Sequence, residues 1–279
     1  MDLRNLSVYQ SLRPFSSLLI GALVLLSLAG FTTKPDGNGI DLGENNFNGI
    51  VRSGPKITNV TSSTSNGSIR KNSSVSIQVT FDQTVTVTGT PQLELETGST
   101  DQKADYASGS GSDELTFTYT VQEGDESPDL DYKSVGSLTL NDGTIEGGGQ
   151  DADLTLPSPG ASGSLGANKA LVIDGIVPTI VSITSNTANG TYGIGDAISI
   201  ILNFSEAVDY GNSVGNTLIL ETGGFDFYLN RPDSGDGTDQ WTYVYTVRAG
   251  DASSDLSIST GTIFIDGKDA ANNFIGFTA

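Results

Sequence analysis

The chain repeats itself. Residues 55–87 match residues 178–210 at 11 of 33 positions, among them Ile57/Ile180, Asn66-Gly67/Asn189-Gly190, Ser76-Ile77/Ser199-Ile200 and Phe81/Phe204. Leu95-Glu96-Thr97-Gly98 then recurs as Leu220-Glu221-Thr222-Gly223, and 116–130 recurs as 242–256 with Tyr-Thr-Val-x-x-Gly-Asp-x-Ser-x-Asp-Leu in both copies. The order is kept and the offset drifts only from 123 to 126. One supersecondary unit used twice explains this, and whatever the first copy folds into the second must approximate.

Within each copy the apolar period is two. Val75, Ile77, Val79 and Phe81 alternate with polar residues, as do Leu115, Phe117, Tyr119 and Val121; the second copy repeats this with Ile198, Ile200, Leu202 and Phe204, and with Trp241, Tyr243, Tyr245 and Val247. Such strands bury one face and wet the other. Turn clusters such as Ser65-Asn66-Gly67, Gly109-Ser110-Gly111 and Asn141-Asp142-Gly143 separate them, and no helical period appears beyond the N-terminal segment. The expected class is all-β, two tandem antiparallel β-sandwiches of immunoglobulin-like type, spanning 55–175 and 176–279. An up-and-down barrel is the alternative architecture.

The N-terminal segment sets the compartment. Arg4 and Arg13 precede an uncharged stretch whose apolar centre runs to Ser27-Leu28-Ala29, which reads as a secretory signal peptide, 1–29, followed by a linker, 30–54. An uncleaved membrane anchor is the other reading of the same stretch. An exported chain of 279 residues without cysteine needs no oxidative folding, a habit that suits a secreted bacterial protein.

Composition removes much chemistry. With no His and no Cys there is no Ser-His-Asp or Cys-His nucleophile system and no thiolate metal site. A formal charge of -20 disfavours nucleic acid and anionic lipid as partners. Acidic residues lie on turns without aromatic clustering around them, so no glycosidase-type carboxylate pair is expected, and the chain is read as non-enzymatic. Trp241 aligns with Leu115 in an alternating strand and is expected in the core.

The phrases Gly89-Thr90-Pro91-Gln92-Leu93-Glu94-Leu95, Gly163-Ser164-Leu165-Gly166-Ala167-Asn168-Lys169-Ala170-Leu171 and Val172-Ile173-Asp174-Gly175-Ile176-Val177-Pro178, with Phe204-Ser205-Glu206-Ala207-Val208, resemble the bacterial immunoglobulin-like repeats strung together in large surface and adhesin-like proteins. The resemblance covers residues 55–279. It implies a structural or adhesive module at the cell surface or outside the cell, with other surface proteins or glycans as partners. The alternative class is a carbohydrate-binding or accessory module of a secreted hydrolytic system. Aromatics confined to the interior favour the first, and an exposed aromatic stripe on one sheet favours the second.

Carboxylates are the only site formers left. The turns Gly124-Asp125-x-x-x-Asp129 and Gly250-Asp251-x-x-x-Asp255 could share a calcium ion between their two carboxylates, but suit backbone capping by the first Asp better. Asp174 of the junction is the better metal candidate, because a short link between sandwiches brings it against loops of both; Asp196, Glu206, Asp266 and Asp269 are its expected neighbours, and calcium, which accepts flexible oxygen coordination, the expected ion. The second copy has no counterpart of 163–174, so its last sheet is expected either to be closed by Phe274-Ile275-Gly276-Phe277 or to accept a strand from another chain, such as residues 49–52 of a neighbouring copy.

Overall fold

The structure is a computed structural model that describes residues 32–33, 40–41, 53–211, 215–259 and 263–275. The signal segment, most of the linker, residues 49–52 and the last four residues lie outside the described residues. By contact the chain divides into residues 1–53 and residues 54–279. In the first unit β1 (Thr32–Thr33) pairs antiparallel with β2 (Ile40–Asp41).

The second unit is built from strands, as the period-two pattern requires. Its first copy runs β3 (Ile57–Ser62), β4 (Gly67–Arg70), β5 (Ser74–Thr88), β6 (Gln92–Leu95), β7 (Gln102–Ser108), β8 (Ser112–Thr120), β9 (Glu126–Ser127), β10 (Leu138–Thr139), β11 (Thr144–Gly147), β12 (Gln150–Asp151), a single helical turn α1 (Leu165–Asn168) and β13 (Leu171–Asp174). The order β10-β6-β7-β8-β5-β11-β12, with β3 on β5, makes one sheet, and β4-β13-β9 makes another. The pairings are antiparallel except for β13 with β4, where Leu171 faces Gly67 and Asp174 faces Arg70. Val75 and Ile77 of β5, Leu115, Phe117 and Tyr119 of β8, Ile69 of β4, and Leu171 and Ile173 of β13 fill one core between the two sheets. Ser164 caps the helical turn, its hydroxyl accepting from Ala167 N–H at 3.2 Å, and delivers Leu165 into that core.

The second copy uses β14 (Ile180–Thr184), β15 (Ala197–Val208), β16 (Leu218–Glu221), β17 (Phe227–Leu229), β18 (Thr238–Thr246) and β19 (Ser257–Ile258). These form sheets β14-β15-β18 and β17-β16-β19 around a separate core. The duplication holds pair by pair. Ile57 faces Phe81 as Ile180 faces Phe204; Ile77 faces Phe117 as Ile200 faces Tyr243; Val79 faces Leu115 as Leu202 faces Trp241. Both long strands shift register at the same place, between Thr80 and Val85 and between Asn203 and Val208. Phe81 and Phe204 are both buried, as their matched alternation demands.

Trp241 is fully buried, packed edge-on against Phe204 and Tyr210, with its indole N–H donating to Val208 O at 3.0 Å. One expected equivalence fails. Residues 67–70 form a strand, whereas the corresponding 190–193 do not. β4 owes its pairing to β13, and among the described residues no second-copy strand takes that place.

Candidate metal centre

Three elements converge where the first copy hands over to the second. Asp174 ends β13, Glu206 lies in the register-shifted second half of β15, and Asp269 follows the bridge between Asp209 and Lys268. One carboxylate oxygen from each lies within 4.8 Å of the other two. The sequence candidates Asp174, Glu206 and Asp269 are thus brought together, while Asp196 and Asp266 lie outside this group. Asp196 caps its own turn, accepting from Gly193 N–H at 2.7 Å. Asp266 is held by its backbone, whose N–H donates to Asn216 Oδ1 at 2.8 Å.

The cluster is scaffolded on one side and unsatisfied on the other. Asp269 is buried and accepts from Asn273, through the backbone N–H at 2.9 Å and the side-chain amide at 2.8 Å. The same amide donates to Asp174 O at 2.9 Å, and Lys71 N–H donates to Asn273 Oδ1 at 2.9 Å, so Asn273 ties the second copy to the first. Asp174 Oδ1 accepts from Ile176 N–H at 3.2 Å. Glu206 Oε1 is buried with no hydrogen-bond partner.

Electrostatics follow from that crowding. Burial, then Asp269, Asp174 and Glu126, push the Glu206 carboxyl up to about 7. Asp174 is raised as well, by burial first, then by Asp269 and Glu126, against the opposing Ile176 N–H. Three carboxylates this close form a site whose charge a divalent ion would neutralise, and the donor set is all oxygen, as calcium prefers.

Glu126 and Asn273 were not legible as participants. Glu126 enters because β9 sets it opposite Asp174, a register that depends on long-range pairing. The site is also not a repeated feature. The first-copy positions matching Glu206 and Asp269 are Gln83 and Gly147, so the acidic set belongs to the junction alone.

The glycine-flanked turns behave as caps. Asp125 is buried, its Oδ2 accepting from Tyr119 Oη at 2.5 Å and Gln122 N–H at 2.7 Å. In the second copy Asp251 Oδ2 accepts from Tyr245 Oη at 2.6 Å and Arg248 N–H at 2.8 Å. No protein-family model matches the chain, and no curated protein does.

Proposed function

We propose that the chain is an exported, non-enzymatic surface or extracellular protein, structural or adhesive in role, whose two immunoglobulin-like sandwiches are locked at their junction by calcium held between Asp174, Glu206 and Asp269. The observation that carries this reading is the convergence of those carboxylates, one from the last strand of the first copy and two from the second, with Glu206 Oε1 buried and unpartnered. A module that presents loops and edges at a distance gains from a stiff joint. A cation bound by both halves supplies stiffness because it binds only when the halves are correctly docked. The test is a thermal melt of the full chain with calcium and with chelator. Calcium should raise the midpoint by about 3–6 °C, the size expected for one to two kcal/mol in a unit of this length, and Glu206→Gln should abolish most of the rise. Superimposable melts would reject the calcium joint.

A second reading, glycan binding, has its own support. Tyr228 faces Ile219 on neighbouring strands and Phe264 faces Thr217, and Ile219 and Thr217 point to the same side of β16. Tyr228 and Phe264 are 55% and 60% exposed, so this sheet carries an aromatic pair on its open face. Binding of a polysaccharide that is lost in Tyr228→Ala and in Phe264→Ala, with melts unchanged, would favour this reading.

A further inference from the structure

The two copies differ most where one has β13. In the first copy β13 lies between β4 and β9, Gly67 N–H donates to Ala170 O at 3.0 Å, Leu130 N–H donates to Leu171 O at 2.8 Å, and Leu165, Leu171 and Ile173 seal the core beneath. Val60, Ile69, Val75, Val121, Leu130 and Tyr132 are buried there. Their second-copy counterparts, Ile183, Tyr192, Ile198, Val247, Leu256 and Ile258, are each only half-buried. Those same six residues line a single cleft of about 780 Å³ that continues down to Ile200, Leu220 and Tyr245. These six losses of burial thus coincide with the slot that a strand fills in the first copy.

We infer that this cleft is a strand-acceptor site for an extended segment with the chemistry of residues 163–175, taken in the way the first copy takes Leu171–Asp174. The first copy defines the occupant's chemistry. It enters parallel to 190–193 and antiparallel to 252–253, the counterparts of β4 and β9, with large aliphatic side chains at alternate positions pointing inward, as Leu171 and Ile173 do. Charge adds a second condition. The lining contains Asp251, which pairs with the Arg248 guanidinium at 3.4 Å, and Asp255, whereas the first-copy slot has Arg70 on its edge. A segment with a basic residue just before its aliphatic run, as Lys169 precedes Leu171, complements that rim.

The probe is a labelled synthetic peptide with the sequence of residues 163–175, titrated into the full chain and read by fluorescence anisotropy, with Trp241 emission as an independent signal from the core beneath the cleft. The expected result is saturable binding. It should weaken at least about tenfold when Leu171 and Ile173 of the peptide are both replaced by Asp, since two inward apolar contacts become buried charges, and a few-fold with Lys169→Glu in the peptide. Ile183→Ala in the protein should weaken binding, with its melt recorded alongside so that loss of the site is told apart from loss of the fold. Failure of the native peptide to bind, or equal binding of the native and doubly substituted peptides, would overturn the inference. Self-association that the peptide dissolves would support it and identify a second copy as the donor; self-association that the peptide leaves intact would overturn it. None of these outcomes depends on calcium, so this test and the test of the junction fail separately.

Discussion

Tyr245 and Asp251 show how one residue pair closes a turn. The strand β18 ends in an exposed loop, and Asp251 bonds both the Tyr245 hydroxyl and Arg248 N–H, holding the loop against the strand that precedes it. Burial and the Asp251 carboxylate push the tyrosine up to about 12, while that hydroxyl and the Arg248 backbone hold Asp251 below the usual carboxylate range. Glu206 is the opposite case, a carboxyl raised by burial and by like charge. Its ordinary value is 4.5 and its folded value about 7, so the folded state binds the proton more tightly than the unfolded state. The resulting stabilisation is complete below pH 4.5 and lost as the pH rises through about 7. Asp153 and Asp251, whose carboxyls are lowered, have already made their opposite contribution by then. In chelator the melting temperature of the wild type should therefore fall across that window by more than that of Glu206→Gln, by the equivalent of about 1–2 kcal/mol after allowance for solvent screening. Parallel pH profiles for the two proteins would contradict this.

At the scale of elements, the copies fill equivalent space with different side chains. Trp241 of β18 sits where β8 has Leu115, and the position matching Ile145 of β11 is Gly267, since Ile275 N–H donates to Gly267 O as Ala152 N–H does to Ile145 O. A Cβ on Gly267 would approach the Trp241 ring to 2.5 Å and Val208 Cγ1 to 2.6 Å. A large residue on one strand and none on the other thus replaces two medium ones. Trp241→Leu should cost about 3–5 kcal/mol by leaving a cavity, and Gly267→Ile should be destabilising by overpacking. The double substitution should recover at least about 1 kcal/mol relative to the sum, measured as a coupling energy in urea titrations. Strict additivity would show that the two sites do not share the space. The alternation, the register and the core fate of Trp241 were all legible, because matched period-two strands leave one choice of buried face. The Trp241/Gly267 exchange was not, because Gly267 comes beside the indole only through the pairing of Asp209 with Lys268.

For the whole molecule, residues 54–279 form one compact unit with two cores that are unequally sealed. The first is closed by β13 and the helical turn, and the second stands open at the cleft. Each half-buried aliphatic there forgoes part of the 1.5–3 kcal/mol that full burial is worth, roughly. The second core should therefore unfold first. Trp241 is the only tryptophan and lies wholly in that core, so its fluorescence reports the second copy alone, while far-ultraviolet dichroism reports both. In denaturant without added calcium the fluorescence transition should precede the dichroism midpoint. Coincident transitions would mean that the junction couples the two cores into one cooperative unit.

What the sequence alone determined is local or repeated: the all-β class from the apolar period, the kinship of the copies from their matched order, the capping role of Asp125 and Asp251 from the residues around them, and the candidacy of Asp174 from its place between the copies. Tertiary structure decided what depends on which distant segments meet. It selected Glu206 and Asp269 over Asp196 and Asp266 as neighbours of Asp174, brought Glu126 and Asn273 to the same place, and left a cleft of defined lining where, among the described residues, no second-copy strand matches β13. The division has a physical cause. A side-chain period or a turn bond is specified within a few residues, whereas a cluster of carboxylates requires strands about 100 residues apart in sequence to dock in one register, and that register is set by cores the sequence does not display.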